Sequence, residues 1–189
     1  MRTRRLLSLD WTGPDPIDPG LFVEAEIDRL VKLGILSPVQ YSNWATPIVV
    51  VPKSDGTVRI VGDYSNTVNP ELNIEHYPVP RGEDVFADLA GCTEFSKIDL
   101  SDAFLQLELE ESSKGILTIN THKGLFVWNR MPLGCASSPG IFQKRMEQLL
   151  GRVPRTKVFY DDILVAGKGK ASHNVNLEQV LTIIINNVR

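Results

Sequence analysis

The sequence predicts an α+β fold in which a mainly antiparallel sheet carries helices on one face. Three observations predict this fold along the 189 residues. β-Branched or alternating segments flank short turn sequences, which indicates hairpins. Amphipathic segments with a helical period lie between them, and strand and helix signals follow each other in mixed order. No internal repeat or low-complexity tract interrupts this pattern.

The composition, with 42% hydrophobic and 23% charged residues, is typical of a globular protein of one domain, or one domain with a small appended lobe. Apolar runs such as Ile48 to Val51 are far shorter than the roughly 20 residues that span a bilayer. The basic start meets Asp10 and several prolines too soon for a signal peptide. Cys92 and Cys135 have no metal-type spacing. Two cysteines cannot form a disulfide framework, which favours a reducing compartment. We therefore expect an intracellular protein, cytoplasmic or nuclear, with no membrane partner.

The charges are unevenly distributed. Residues 71–112 contain 11 acidic and 2 basic side chains, and residues 144–170 contain 7 basic and 3 acidic ones. An acidic block could bind cations and a basic block could bind a polyanion. Charge alone favours the simpler interpretation, two solvated surfaces of opposite sign.

In the first half, local signals predict a helix, a hairpin and a second helix. Asp18-Pro19 combines an N-cap residue with proline at the first helical position, and apolar residues at helical spacing continue to Gly34. The Asp-Gly pair of Lys53-Ser54-Asp55-Gly56 predicts a hairpin turn. The expected elements are an extended lead-in over 1–17, a helix from 18, the hairpin over 47–62, a loop over 66–81 and a short helix over 83–90.

The second half is expected to contain more strands. Leu105 to Glu110 alternates strictly between apolar and polar residues, which predicts a strand with one wet face. Pro139 is expected to begin a helix that ends at Gly151. The other expected elements are a buried strand over 95–100, a hairpin over 116–131, short strands over 157–160 and 163–166, and a helical tail from about 171.

Acidic residues beside the predicted strands are the candidates for chemistry. Asp99 ends an apolar strand, and Asp161-Asp162 lies in a tight turn between two apolar strands. Adjacent carboxylates repel each other unless a cation neutralises them. Three carboxylates brought together would bind two Mg²⁺ ions and support phosphoryl transfer. The alternative is a solvent-facing turn, in which Asp-Asp is common, and the doublet in isolation favours that alternative.

The segment Phe159-Tyr160-Asp161-Asp162 resembles the aromatic-x-Asp-Asp box of reverse transcriptases. Further segments resemble the motifs of gypsy-class LTR retrotransposon polymerases, in that family's order and spacing from about residue 24 to 173. These segments are Tyr41 to Pro47, Lys53 to Gly56, Gly62 to Tyr64, Thr67 to Pro70, Phe95 to Leu100, Ala103 to Leu107, Leu117 to Phe126, Met131 to Gly134 and Ser138 to Gln143. Such a collinear set is far more specific than any one motif.

The resemblance implies a fingers-and-palm fold over 18–170, with the hairpin 47–62 as fingertips, the palm over about 83–167 and a divergent helical tail over 171–189. It implies an RNA-directed DNA polymerase that transfers a nucleotide from a dNTP to a primer 3′-hydroxyl on an RNA or DNA template. Two Mg²⁺ ions, with Mn²⁺ as the alternative, would be held by Asp99 and Asp161 with the Leu100 carbonyl. Asp162 would be the second acid of the box, counted among the catalytic residues and metal ligands.

The resemblance also implies contacts with the nucleotide, template and primer. The residues assigned to the nucleotide are Lys53, Arg59, Phe104 and Gln143, and those assigned to template and primer are Gly134, Ser138, Pro139 and Tyr160. Lys53 and Arg59 would reach the triphosphate. Phe104 would be the aromatic gate that excludes a ribose 2′-hydroxyl. Judged without the family, the same residues fit solubilising hairpin charges, a core aromatic and a helix N-terminus.

Three residues depart from the family pattern. Ser65 stands where the family usually has Arg or Lys, so a cation that would order the fingers or contact the template is missing. In the box, Phe159 replaces the usual Tyr and loses its hydroxyl, and Tyr160 is bulkier than the usual Leu, Val or Met. From this change in the box we expect weakened activity but not its abolition. The family's thumb and RNase H regions would lie beyond Arg189. We therefore expect a fragment or a decayed copy of a retroelement polymerase, or one piece of a split reading frame, with the remainder of a Pol polyprotein as a further partner. The alternatives are a catalytically silent palm that only binds nucleic acid or a protein and, more weakly, another nucleotidyl transferase or cyclase.

Overall fold

The structure is a computed structural model that describes residues 19–74 and 77–187. The predicted lead-in over 1–17, the helix-start residue Asp18, positions 75–76 of the predicted loop and positions 188–189 of the tail lie outside the described residues. The chain divides into two compact units. Unit 1 is formed by Met1–Leu72 and Glu108–Ala136, and unit 2 by Asn73–Leu107 and Ser137–Arg189.

The described residues of unit 1 form a five-stranded sheet, two α-helices and two short 3₁₀ helices, Tyr64–Asn66 and Asn69–Glu71. Its elements in chain order are α1 (Pro19–Lys32), β1 (Leu36–Val39), β2 (Thr46–Pro52), β3 (Val58–Gly62), α3 (Glu111–Lys114), β5 (Ile119–Thr121) and β6 (Gly124–Trp128). The strand order is β1-β6-β5-β2-β3, with β2 and β5 parallel and the other neighbours antiparallel. The hairpin predicted over 47–62 is confirmed, and Gly56 takes the positive φ of 81° that its turn requires.

The core of unit 1 lies between α1 and the sheet. Ile27 and Leu30 of α1 are buried, as are Ile60 of β3 and Trp128 of β6. The helical spacing of apolar residues therefore identified the correct face of α1. Strand β1 was not predicted, because its four residues include a serine and a proline and carry no alternation that a sequence window detects.

Unit 2 contains a three-stranded antiparallel sheet in the order β4-β8-β7. Its strands are β4 (Glu94–Asp99), β7 (Thr156–Phe159) and β8 (Asp162–Gly167), and its helices are α2 (Gly82–Asp88), α4 (Ser138–Leu150) and α5 (Lys170–Asn187). The predicted helix from Pro139 to Gly151, the two short strands and the helical tail are confirmed within a residue or two of their expected bounds.

The two faces of this sheet differ in burial. Val158, Ile163 and Val165 are buried on the face where α4 and α5 pack, which confirms helices on one face. On the other face, Phe95 and Lys97 of β4 are exposed. The prediction of a buried strand over 95–100 is therefore wrong for this face. Successive side chains alternate between faces, and helices cover only one of the two. We call the uncovered side the open face.

The strand predicted over 105–110 is also wrong. Ala103–Gln106 forms a 3₁₀ turn that begins after Asp102, whose φ is 48°. The side-chain amide of Gln106 donates to the Ser101 carbonyl oxygen at 2.6 Å, which closes the turn. Glu108 forms an isolated β-bridge with Arg130. Alternation in this segment does not produce a strand, because a strand needs a continuous run of backbone pairs along a neighbouring edge.

The N-terminal part of α5 packs closely on β8. The side-chain amide of Asn176 donates to the Ala166 carbonyl oxygen at 2.9 Å, and His173 Nε2 lies 3.0 Å from Ser96 Oγ on β4. A Cβ atom at Gly167 would lie 2.3 Å from the backbone nitrogen of His173. Glycine at this position therefore allows the helix to approach the strand. Across the described ranges, no helix is long and apolar enough to cross a membrane.

The substitution Gly167→Ala is expected to destabilise unit 2 by about 1–3 kcal/mol, because the new methyl group would displace the backbone of α5. Chemical denaturation followed by circular dichroism measures the free energy of unfolding. Gly82→Ala is the matched control, since a Cβ at Gly82 has no atom within 4 Å. Equal stability of the two variants would contradict the close packing of α5 on β8.

Candidate active site

Strand pairing brings acidic residues from two distant segments to one end of the unit 2 sheet. In the β4–β8 pair, Asp99 lies directly opposite Asp162. Immediately beyond this pair, the backbone N–H of Leu100 donates a 3.0 Å hydrogen bond to the carbonyl oxygen of Asp161. Asp99 and Asp161 are exposed, and Asp162 is half-buried. The register therefore gathers the backbone of all three predicted catalytic acids at this end of the sheet.

A tight turn carries the Asp161-Asp162 doublet. Phe159 at the end of β7 pairs with Asp162 at the start of β8, so Tyr160 and Asp161 form a two-residue turn. Tyr160 has a φ of 53°, in the left-handed region that residues other than glycine seldom occupy. Its ring packs edge-on against Phe159, with the ring centroids 5.2 Å apart. Such a conformation persists only where surrounding contacts hold it.

Gln143 of α4 holds this turn from inside the unit. Its side chain is fully buried, and its Oε1 accepts a 2.7 Å hydrogen bond from the backbone N–H of Tyr160. Its Nε2 donates to the Val158 carbonyl oxygen at 2.9 Å and to Glu147 Oε1 at 2.8 Å. The nucleotide contact assigned to Gln143 stays a prediction. The structure adds a positioning role that the sequence reasoning missed.

The hydrogen-bond chain continues beyond Gln143. The hydroxyl of Tyr77 donates to Glu147 Oε2 at 2.7 Å. This hydrogen bond to Glu147 raises the pKa of the Tyr77 phenol. The segment before α2 is thereby connected through Glu147 and Gln143 to the backbone of Tyr160. No sequence motif relates these residues, because they meet only when α4 lies beside β7.

Lys97 of β4 is a second residue that the sequence reasoning passed over. Its Nζ lies 2.8 Å from Asp162 Oδ2. The pKa of Lys97 is raised, mainly by the hydrogen bond to Asp162 and to a smaller extent by the charges of Asp99 and Asp161. Lys97 stands two positions before Asp99, so strand periodicity puts both side chains on the open face. That spacing was the signal that could have identified it.

The donors at this end of the sheet fit a hard divalent cation in their chemistry, since Mg²⁺ prefers carboxylate and carbonyl oxygens. Among the residues that the structure describes, no three Asp, Glu, His or Cys side chains form a metal-binding group. The Asp162 carboxylate is paired with Lys97 instead. The metal-ligand roles of Asp99, Leu100, Asp161 and Asp162 therefore stay predictions, and Asp162 stands in an ion pair with Lys97.

Three other predicted residues of unit 2 lie on the 3₁₀ turn and at the start of α4. Phe104 is half-buried, and its ring meets that of Phe142 edge-on at a centroid distance of 5.2 Å. Ser138 and Pro139 are the first two residues of α4, with Ser138 buried and Pro139 half-buried. Phe104 thus has the packing support expected of a core aromatic and retains an exposed part. Its predicted role as a gate stays a prediction.

The remaining predicted residues belong to unit 1. Lys53 is half-buried at the hairpin turn, where its backbone N–H donates to the Thr57 carbonyl oxygen at 2.8 Å. Arg59 is exposed on β3. Gly134 has a φ of 93°, and a Cβ there would lie 2.2 Å from the carbonyl oxygen of Gly62. Their contacts with nucleotide or template stay predictions.

Asn69 holds the loop that contains Gly134. Its Nδ2 donates to the Gly134 carbonyl oxygen at 3.1 Å, and its Oδ1 accepts from the backbone N–H of Ala136 at 2.9 Å. In the sequence, Asn69 is part of the Thr67 to Pro70 motif. Its two hydrogen bonds explain in physical terms why an amide side chain is suited to this position of unit 1.

Comparison with known proteins identifies the family of this chain. The family model described as reverse transcriptase (RNA-dependent DNA polymerase) matches residues 39–188. The uncharacterized protein K02A2.6 of Caenorhabditis elegans is 38% identical over 160 residues, which cover 84% of this chain and 12% of that protein. The Transposon Tf2-3 polyprotein of Schizosaccharomyces pombe is 31% identical over 170 residues, covering 88% of this chain and 13% of the polyprotein. The chain thus spans about an eighth of the length of these curated relatives.

Solved structures give the same result for the fold. The foamy viral protease-reverse transcriptase dRH in complex with double-stranded DNA has a TM-score of 0.80 and 30% identity, covering 89% of this chain and 29% of that one. The foamy viral protease-reverse transcriptase in complex with an RNA/DNA hybrid has a TM-score of 0.77 and 29% identity, covering 92% of this chain and 24% of that one. By its family match, its transposon relatives and its fold, this chain belongs to the reverse transcriptase family.

Proposed function

We propose that this chain is the fingers-and-palm part of a retrotransposon polyprotein and catalyses RNA-directed DNA synthesis. In this reaction the 3′-oxygen of a primer attacks the α-phosphorus of a dNTP. A new oxygen–phosphorus bond forms, the bond to the bridging oxygen breaks, and pyrophosphate leaves. Membership of the reverse transcriptase family and the transposon polyprotein relatives support this proposal.

The observation that carries the proposal is the register of β4 against β8. It places Asp99 opposite Asp162 and next to the turn that contains Asp161. Both Asp99 and Asp161 are exposed, so a substrate and a cation have access to their carboxylates. Two carboxylates directly opposite each other are destabilising unless a cation offsets their charge, and a divalent cation at this end of the sheet would add to the offset that Lys97 provides.

The residues of unit 2 divide the chemical work. Asp99, Asp161 and the Leu100 carbonyl would hold Mg²⁺, or Mn²⁺ as the alternative. Two such ions supply activation of the attacking oxygen and charge compensation for the departing pyrophosphate. Gln143 keeps the turn at Tyr160 in its strained conformation and so fixes the direction of Asp161. Phe104 limits the space for a ribose 2′-hydroxyl.

The substrate class is part of the proposal. The foamy viral relatives of known structure are in complex with double-stranded DNA or with an RNA/DNA hybrid, which supports a primer–template as the ligand. In unit 1, Lys53 and Arg59 supply positive charge for the triphosphate, since the forked guanidinium suits phosphate oxygens. Gly134, Ser138 and Pro139 contact the template. Further segments of a polyprotein, including thumb and RNase H, complete the grip on the duplex.

The substitutions Asp99→Asn and Asp161→Asn are each expected to lower the rate of primer extension on an RNA template by more than about 100-fold. Loss of even a residue that only supports a metal ligand lowers metal affinity or activity by about 10–100-fold. The measurement is extension of a labelled primer by the purified chain with Mg²⁺ and dNTPs. Asp84→Asn, on the exposed first turn of α2, is the matched control and should keep the wild-type rate. Wild-type activity in either site variant, or no extension by a folded wild-type chain, would refute the proposal.

The substitution Tyr160→Leu is expected to raise the rate of primer extension by about fivefold, the equivalent of relieving about 1 kcal/mol of overpacking at the primer end. Leucine meets the same backbone strain at φ 53°, so side-chain bulk is the variable that changes. Tyr41→Leu, at an exposed tyrosine of unit 1, is the control. An unchanged or lower rate for Tyr160→Leu would show that the ring does not obstruct the primer.

The substitution Gln143→Leu is expected to lower the free energy of unfolding by about 2–3 kcal/mol, because the Tyr160 N–H and the Val158 carbonyl would lose a buried partner. Primer extension should fall as well, at a temperature where the variant is folded. Gln148→Leu, at an exposed position of the same helix, is the control for both measurements. A variant as stable and active as this control would exclude a positioning role for Gln143.

A further inference from the structure

The open face of the unit 2 sheet has an electrostatic conflict at one end. Asp99 and Asp162 are directly opposite each other. Next to this pair, the backbone N–H of Leu100 donates a hydrogen bond to the carbonyl oxygen of Asp161. Like charges directly opposite in a sheet are destabilising. Without a bound cation, the three carboxylates therefore repel one another, and something in the chain itself must offset this repulsion.

Lys97 is in the right place to offset it. Lys97 pairs with Leu164, so it lies diagonally across from Asp162 and shares the open face with Asp99. Diagonal neighbours in antiparallel strands are roughly 7–8 Å apart at the backbone, within reach of a lysine side chain. The 2.8 Å distance from Lys97 Nζ to Asp162 Oδ2 shows that it reaches.

The contact is exposed enough to be exchanged. The side chain of Lys97 is 63% exposed and that of Asp162 is 38% exposed. Exposed ion pairs of this kind are weak and are easily replaced by a competing charge. Lys97 is also a strand residue, so its backbone position is fixed by pairing with β8.

Resting on the polymerase function proposed above, we propose that Lys97 is a positioning residue that acts as a built-in counter-cation. Its ammonium group neutralises and orients Asp162 while no divalent ion is bound. It holds the Asp162 carboxylate apart from those of Asp99 and Asp161, and it releases Asp162 when a divalent ion binds. Lys97 therefore stabilises the metal-free chain and sets the Mg²⁺ concentration at which the site fills.

Thermal unfolding of the full chain, in EDTA and over a Mg²⁺ titration without nucleotide, tests this role independently of activity. Lys97→Met should lower the unfolding temperature in EDTA by about 1–4 °C. It should also lower the Mg²⁺ concentration for half-maximal stabilisation by about two- to fivefold, because a competing cation is gone. Lys97→Arg keeps the charge and should restore both values towards the wild type.

Controls separate a specific role from a general one. Lys168→Met removes an exposed lysine just after β8 and should leave the Mg²⁺ midpoint unchanged. In EDTA, Lys97→Met should have little effect in an Asp162→Asn background, because the double-mutant cycle isolates the pair. If Lys97 had a merely structural role, its removal would lower the unfolding temperature in EDTA and leave the Mg²⁺ concentration for half-maximal stabilisation unchanged.

The outcomes also distinguish this inference from the proposed function. In one outcome, Asp99→Asn abolishes stabilisation by Mg²⁺, but Lys97→Met does not lower the Mg²⁺ concentration for half-maximal stabilisation. This outcome overturns the role of Lys97 and leaves the polymerase proposal intact. An Asp99→Asn variant that responds to Mg²⁺ like the wild type overturns the metal centre and this inference together. The same holds if the wild-type chain shows no Mg²⁺ response.

Discussion

The antiparallel pairing of β4 with β8 is the constraint on which the candidate active site depends. Ile163 and Val165 of β8 are fully buried against the helices, so the register is held by the apolar face of the sheet. A slip of one residue would reverse the faces of a strand and carry its acids into the core. Burial of aliphatic side chains on one face thus determines where the carboxylates stand on the other.

The second determinant is the strained turn at the end of this sheet. Tyr160 takes a strained left-handed backbone conformation. The fully buried side chain of Gln143 in α4 stabilises this conformation by accepting a hydrogen bond from the backbone N–H of Tyr160. Glu147 and Tyr77 extend the same hydrogen-bond chain. The helix that buries the core of unit 2 therefore also positions the acidic turn, so stability and site geometry depend on the same residues.

Sequence periodicity predicted elements well where the local pattern and the tertiary environment agree. The helices from Pro19 and Ser138 and the hairpin 47–62 are examples, because amphipathic spacing and an Asp-Gly turn are local properties. It failed for 105–110, where alternation lacks a partner strand, and for the exposed side chain of Phe95, where no helix covers the strand. Both failures concern neighbours that a sequence window does not contain.

The sequence by itself determined the family, since a collinear set of motifs lies along the chain in that family's order. It also predicted three acids as candidates for the chemistry. It also determined most helices and hairpins, which follow from local spacing and turn chemistry. Only the tertiary structure decided that Asp162 pairs with Lys97 and that Gln143 is buried beneath Tyr160. These contacts join residues up to 65 positions apart through sheet register and helix packing, which no local pattern specifies.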